Sequence, residues 1–168
     1  MPPESEAVDY EGEMALVIGR TVRRVTGDEA LAAVAGYTVA NDVTMRDYQY
    51  KTHQWLQGKT WASSTPLGPY LVTPDEVGDP HALDISLTLN GETMQSANTS
   101  AFIFDIPTLI ATISGFMPLH PGDVVLTGTP AGVGFRRDPK VLLRDGDRMV
   151  VEVQNVGRLE SPVAAEVV

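Results

Sequence analysis

Two glutamates one residue apart, Glu11 and Glu13, stand at the start of an apolar run, and their spacing is the first chemical signal in the chain. In an extended strand, residues i and i+2 point to one face, so both carboxylates can converge on one cation, with Gly12 leaving room between them. Like charges held that close repel unless something positive neutralises them. The competing reading is a pair of solvated glutamates at a strand edge. Asp42, at the end of a second apolar stretch, offers either a third ligand or a cap for the helix expected next. A donor set made only of oxygens suits Mg2+, Mn2+ or Ca2+ better than zinc.

Further along, Arg46 and Gln49 are three residues apart, so on a helix they share a face. Arg46 there either grips a substrate carboxylate bidentately or sits in a surface ion pair. Gly58-Lys59-Thr60 ends like a phosphate loop, but the position five before Gly58 is His53, where that motif needs glycine. Lys59 is then a lysine facing the site or a solvated one. The run TGTPAGVG at 127–134 lets backbone approach a ligand closely, and Thr129 can offer a hydroxyl to a carboxylate. As a purely structural loop it would be equally ordinary. No serine sits in a nucleophile elbow, and His53, His81 and His120 follow no metal-ligand spacing. His53 is the histidine nearest these residues in sequence.

These side chains belong to a chain of 168 residues, enough for one domain over 1–168 with a single continuous core. Twelve Lys+Arg stand against 22 Asp+Glu, a net charge of −10, and no basic cluster interrupts that balance. Such a surface repels phosphate backbones, so no nucleic-acid partner is expected. Mean hydropathy is −0.04, and Pro, Gly or charge breaks every apolar run, so no membrane partner is expected either. The first ten residues are acidic and Pro-containing, unlike a signal peptide. With no cysteine there is no disulfide and no thiol nucleophile. A cytoplasmic setting is the expectation.

The elements that must position the site read as many short strands with few helices. Residues 13–19 form a buried strand, and 21–25 alternate as its hairpin partner. Thr26 with Glu29 makes a capping box for a helix running to near Gly36. A strand at 37–43 precedes a polar helix at 44–54, and 70–73 form a brief strand. Leu83, Ile85, Leu87 and Leu89 alternate with polar residues before Asn90-Gly91, a hairpin signal. Asp105 and Pro107 open an amphipathic helix, His120 to Asp123 turn into a strand at 124–127, and a last strand covers 149–153. The pattern predicts a β-dominated α+β fold of a mixed roll or barrel-like kind.

The order of these segments is more specific than any one of them. VDYEGE (8–13), GYTVANDV (36–43), RDYQ (46–49), GKT (58–60), TPLGP (65–69), NGE (90–92), PGDVVLTGTPAGVG (121–134) and DGD (145–147) together resemble the fumarylacetoacetate hydrolase family, across nearly the whole chain. The resemblance implies the C-terminal catalytic domain of that family, usually a homodimer. It makes Glu11, Glu13 and Asp42 ligands of Mg2+ or Mn2+, Lys59 the catalytic residue, and Arg46, Gln49 and Thr129 the substrate-binding residues. A small 2-oxo acid is the implied substrate. The implied activity is hydrolysis of a C–C bond in acylpyruvates of the fumarylpyruvate type. The alternative is decarboxylation or isomerisation of 2-oxo or dienoic diacids, such as oxaloacetate or 2-hydroxyhepta-2,4-diene-1,7-dioate. A non-catalytic 2-oxo-acid binder is a third reading. The enzymatic routes share an enolate that a cation stabilises. Two departures stand out. Ten residues precede Glu11, so the family's usual N-terminal region, with the His–Glu pair that activates water in several hydrolases, is expected to be missing. Trp61-Ala62 stands where relatives commonly place Phe and an acidic residue.

Overall fold

A computed structural model describes residues 1–167. Its strands are β1 (Val8–Asp9), β2 (Gly12–Ile18), β3 (Val34–Asn41), β4 (Thr44–Met45), β5 (Leu67–Val72), β6 (Asp84–Leu89), β7 (Glu92–Asn98), β8 (Val124–Leu126), β9 (Arg148–Val153) and β10 (Gly157–Pro162). Helices are short: α1 (Gly27–Leu31), α2 (Arg46–Gln49), α3 (Pro74–Val77) and the longer α4 (Ile106–Phe116). One sheet has the order β5-β3-β2-β8, the second β10-β9-β6-β7, and β1 pairs with β4. Each sheet keeps two edge strands, so the β-dominated α+β fold is an open roll without barrel closure. No helix among the described residues is long and apolar enough to cross a membrane.

The two sheets meet through alternate residues. Met14, Leu16 and Val39 on one, and Leu87 and Val151 on the other, are fully or almost fully buried. Gly12 belongs to this contact: a Cβ there would stand 3.2 Å from Leu87 and from Val151. Its lack of a side chain therefore serves sheet packing, not spacing between the two glutamates as expected.

Several local expectations hold. Asn90 and Gly91 both adopt positive φ (53° and 86°) and close the β6–β7 hairpin. Asp105 caps α4, its Oδ1 accepting the Thr108 N–H at 2.8 Å. Others are corrected by tertiary competition. Residues 21–25 form no hairpin strand, because both edges of β2 are taken by β3 and β8, and Arg24 turns out of extended backbone at φ 59°. Val22 makes only an isolated bridge to Leu119. Thr26 contributes no side-chain cap, and α1 ends at Leu31 so that β3 can begin at Val34. The helix expected over 44–54 shrinks to α2, since Thr44 and Met45 pair with Asp9 and Val8. Strand β10 had no clear sequence signal: it is a largely exposed edge carrying Gly157, Arg158, Glu160 and Pro162.

Candidate active site

The β2–β3 register brings the acidic residues together. Gly12 opposes Asn41, and one step further the Asp42 N–H donates to the Glu11 carbonyl at 2.9 Å. Residues 31 positions apart thus stand side by side at the end of one strand pair. The Asn41 side chain steadies the junction by accepting the Glu11 N–H at 3.0 Å. Glu11, Glu13 and Asp42 each offer an oxygen, all within 4.8 Å of one another.

Lys59 closes this cluster. Its ammonium donates to Glu11 Oε2 at 2.9 Å, to Asp42 Oδ2 at 2.5 Å and to Thr44 Oγ1 at 3.0 Å. A 3-10 turn over Trp55–Gly58 delivers it, and Gly58 fits because a Cβ there would press within 2.8 Å of the Gln49 backbone. The other oxygen of Glu11 meets Arg46 Nη1 at 2.6 Å. Arg46 is buried, and its remaining contacts are already committed: Nε donates to Asp9 Oδ2 at 2.8 Å and Nη1 to Gln49 Oε1 at 3.0 Å. Only Nη2 lacks a partner. The shared helix face of Arg46 and Gln49 is as expected, but this geometry leaves no free fork for a bidentate grip.

Thr129 lines the cleft beside these groups. Gly128 adopts φ +94° and its N–H donates to Glu13 Oε2 at 2.7 Å, while the Thr129 hydroxyl donates to the Gly12 carbonyl at 3.0 Å. Two residues here had no distinct sequence signal. Gln95, buried on β7, accepts the Gly12 N–H (2.9 Å) and donates to Thr129 Oγ1 and the Pro130 carbonyl (both 2.8 Å). Asp9, fully buried, accepts from Arg46 Nε, the Tyr10 N–H and the Gly134 and Phe135 N–H groups. An acid between Val8 and Tyr10, both core residues, was the one available hint. The histidines lie elsewhere. His53 is exposed and does not line the cleft, His81 accepts the Ile106 N–H, and His120 meets Thr21 on the far turn.

Electrostatics of the cluster follow from burial. Desolvation raises Glu13 from 4.5 to about 8, opposed by the Gly128 N–H and reinforced by the charges of Asp42 and Glu11. Burial likewise raises Asp42, with the Lys59 ammonium pulling the other way. For Lys59, burial favours the neutral amine, but the bonds to Asp42 and Glu11 outweigh it and hold the ammonium. Three carboxylates share too little positive charge, and their oxygens are hard donors, so the cluster fits a divalent cation. A pH signature follows. The folded chain binds the Glu13 proton more tightly than the unfolded chain, so this group's contribution is complete below about pH 4.5 and is lost as pH rises through about 8. The metal-free protein is expected to melt progressively lower from pH 5 to pH 8, more steeply than Glu13→Gln does. Affinity for Mg2+ should rise over the same interval, because the ligand must lose its proton. Parallel melting curves for the two proteins would remove Glu13 as the cause.

Beside the cluster opens a cleft of about 370 Å3, whose lining includes Glu11, Arg46, Gln49, Tyr50, Trp55, Thr129, Phe135 and Arg136. The sequence-predicted substrate residues Arg46, Gln49 and Thr129 therefore line one cleft with a candidate ligand, Glu11.

The profile described as fumarylacetoacetate (FAA) hydrolase C-terminal matches residues 1–164. Rat oxaloacetate tautomerase Fahd2a, mitochondrial, is 49% identical over 158 residues, covering 94% of this chain and 50% of its own length. The human protein named oxaloacetate tautomerase FAHD2A, mitochondrial, is 48% identical over 159 residues, with 94% and 51% covered. Among solved structures, a fumarylacetoacetate hydrolase from Exiguobacterium antarcticum superposes with a TM-score of 0.94 at 41% identity, covering 97% of this chain and 58% of the other. A 5-carboxymethyl-2-hydroxymuconate delta-isomerase from Mycobacterium smegmatis gives 0.91 at 38%, covering 99% and 62%. The chain thus spans about half the length of the curated relatives it matches. The cytoplasmic expectation is corrected by these relatives, which are named as mitochondrial. Acidity and absent cysteines describe a folded core and carry no address, which is why composition misled. From Met1 to Ala164, the chain belongs to the fumarylacetoacetate hydrolase family.

Proposed function

We propose that this chain carries the core of a Mg2+- or Mn2+-dependent enzyme that interconverts the keto and enol forms of a 2-oxo diacid of the oxaloacetate kind. The observation that carries the reading is the Glu11–Glu13–Asp42 cluster with the Lys59 ammonium on two of its members. A cation held there would supply Lewis-acid polarisation of a 2-oxo group. Enolisation moves a proton from the carbon beside that group to its oxygen, so the reaction balances within the substrate. Lys59, an ammonium whose three N–H groups now serve Glu11, Asp42 and Thr44, would be freed to donate to that oxygen once a cation takes over the two carboxylates. Arg46, fixed by Asp9 and Gln49, keeps Glu11 in place, and Thr129, held by Gln95 and the Gly12 carbonyl, lines the same cleft. Trp55 and Phe135 give the cleft aromatic surface.

The main expectation from sequence, C–C hydrolysis, is less well supported than its alternative. Relatives named as oxaloacetate tautomerases or as isomerases favour the alternative. Enol oxaloacetate followed by ultraviolet absorbance, with Mg2+ or Mn2+, should convert to the keto form faster with protein than with metal alone. Acetylpyruvate should remain largely uncleaved. Rapid acetylpyruvate cleavage with no effect on the oxaloacetate tautomers would reinstate the hydrolase.

A further inference from the structure

The cations around the cleft are not equivalent. Arg46 is neutralised by Asp9 and Glu11, and Lys59 by Glu11 and Asp42. Arg137 spends its guanidinium on the Gly132 and Met94 carbonyls. Arg136, its neighbour in sequence, lines the cleft with Glu11 and has no carboxylate partner among the described residues. Its one hydrogen bond is a long contact to the Tyr50 hydroxyl, 3.4 Å, with the guanidinium 6.0 Å from the ring centre. Other surface cations, such as Arg20 and Arg144, also form no ion pair among the described residues; Arg136 differs from them in lining the cleft beside Glu11.

Its position is also held firmly. Arg136 ends the 3-10 turn Gly134–Arg136, and its N–H donates to the Val133 carbonyl at 3.2 Å. The Gly134 and Phe135 N–H groups donate to Asp9 at 2.8 and 3.1 Å, the same buried carboxylate that fixes Arg46. Gly134 must be glycine, since a Cβ would fall 1.8 Å from the Val141 carbonyl oxygen. One acid thus holds both Arg46 and the backbone of the turn that carries Arg136.

We propose that Arg136 receives the distal carboxylate of a 2-oxo diacid whose 2-oxo end lies at the Glu11–Glu13–Asp42 cluster, and so selects diacids over monoacids. This rests on the proposed 2-oxo-diacid reading and adds the residue that recognises the second acid group. A free guanidinium accepts a carboxylate in a paired, charge-assisted contact, and Tyr50 and Phe135 flank it.

The test compares oxaloacetate with 2-oxobutyrate, which share a chain length and differ in the distal carboxylate. Binding to the Mg2+-loaded protein is followed by calorimetry, and turnover of oxaloacetate separately. The wild type should prefer the diacid by roughly tenfold or more. Arg136→Gln should erase most of that preference and raise KM for oxaloacetate more than it lowers kcat. Arg136→Lys should recover part, as a point charge without the fork. Arg144→Gln, an exposed arginine outside the cleft, should keep the preference. An undiminished preference in Arg136→Gln, no preference in the wild type, or an equal loss in Arg144→Gln would each overturn the assignment. Because preference is read from binding, a diacid preference that depends on Arg136 without tautomer conversion would overturn the proposed reaction and leave this recognition standing.

Discussion

Asp9→Ala is expected to destabilise the protein by about 3 kcal/mol, the lower end of the usual cost of breaking a buried ion pair, because Glu11 remains on Arg46. Asp9 is fully buried and Arg46 nearly so, and their contact at 2.8 Å is direct. Removing the carboxylate strands the guanidinium Nε and also withdraws the acceptor from three backbone N–H groups, at Tyr10, Gly134 and Phe135. Each stranded group carries its own desolvation cost, about 1–3 kcal/mol when nothing replaces the bond. Asp9→Asn should fall between, because an amide oxygen can still accept from Tyr10 and Gly134, while an NH2 in place of Oδ2 can accept from neither Phe135 nor Arg46. Urea unfolding at neutral pH measures both, and Asp9→Ala combined with Arg46→Met should recover part of the loss, since the orphaned charge goes with it. A loss under about 1 kcal/mol in Asp9→Ala would mean that water or a rearranged Glu11 takes over the arginine.

Lys59→Met is expected to lower oxaloacetate turnover by about 10²–10³-fold, the range seen when one donor to a developing oxyanion is removed. The stem stays, so local packing against the 3-10 turn is preserved. Stability should respond in a way that identifies the charge. The ammonium offsets Glu11 and Asp42, so without it the metal-free variant should melt below the wild type. Saturating Mg2+ should close most of that gap while leaving turnover low. A variant with full activity would remove Lys59 from the chemistry, and one that Mg2+ does not restore would make its role chiefly structural.

Much of this site is local in origin and therefore readable in order along the chain. Glu13 lies on β2 with Glu11 just before its first residue, Arg46 and Gln49 share one helical turn, and Asn90-Gly91 favours the positive φ that a tight hairpin needs. The family's motif order ties Asp42, Lys59 and Thr129 to the same neighbourhood. What local sequence could not determine is which groups satisfy one another. Gly12 reads as a spacer between glutamates until Leu87 and Val151 pack against it from the other sheet. Residues 21–25 alternate like a strand, yet the edge they would pair with is occupied by β8, more than a hundred residues away. Asp9 looks like one of 22 acids, and only burial against Arg46 and the Gly134–Phe135 backbone separates it from the solvated ones. Arg136 and Arg137 are adjacent and chemically identical in sequence, but backbone carbonyls consume one and leave the other facing the cleft. Periodicity and turn chemistry act over a few residues and are written in the chain. Pairing of buried charges and donors is decided by long-range closure, because the low-dielectric interior makes every polar group answer to whatever distant partner the fold brings within reach.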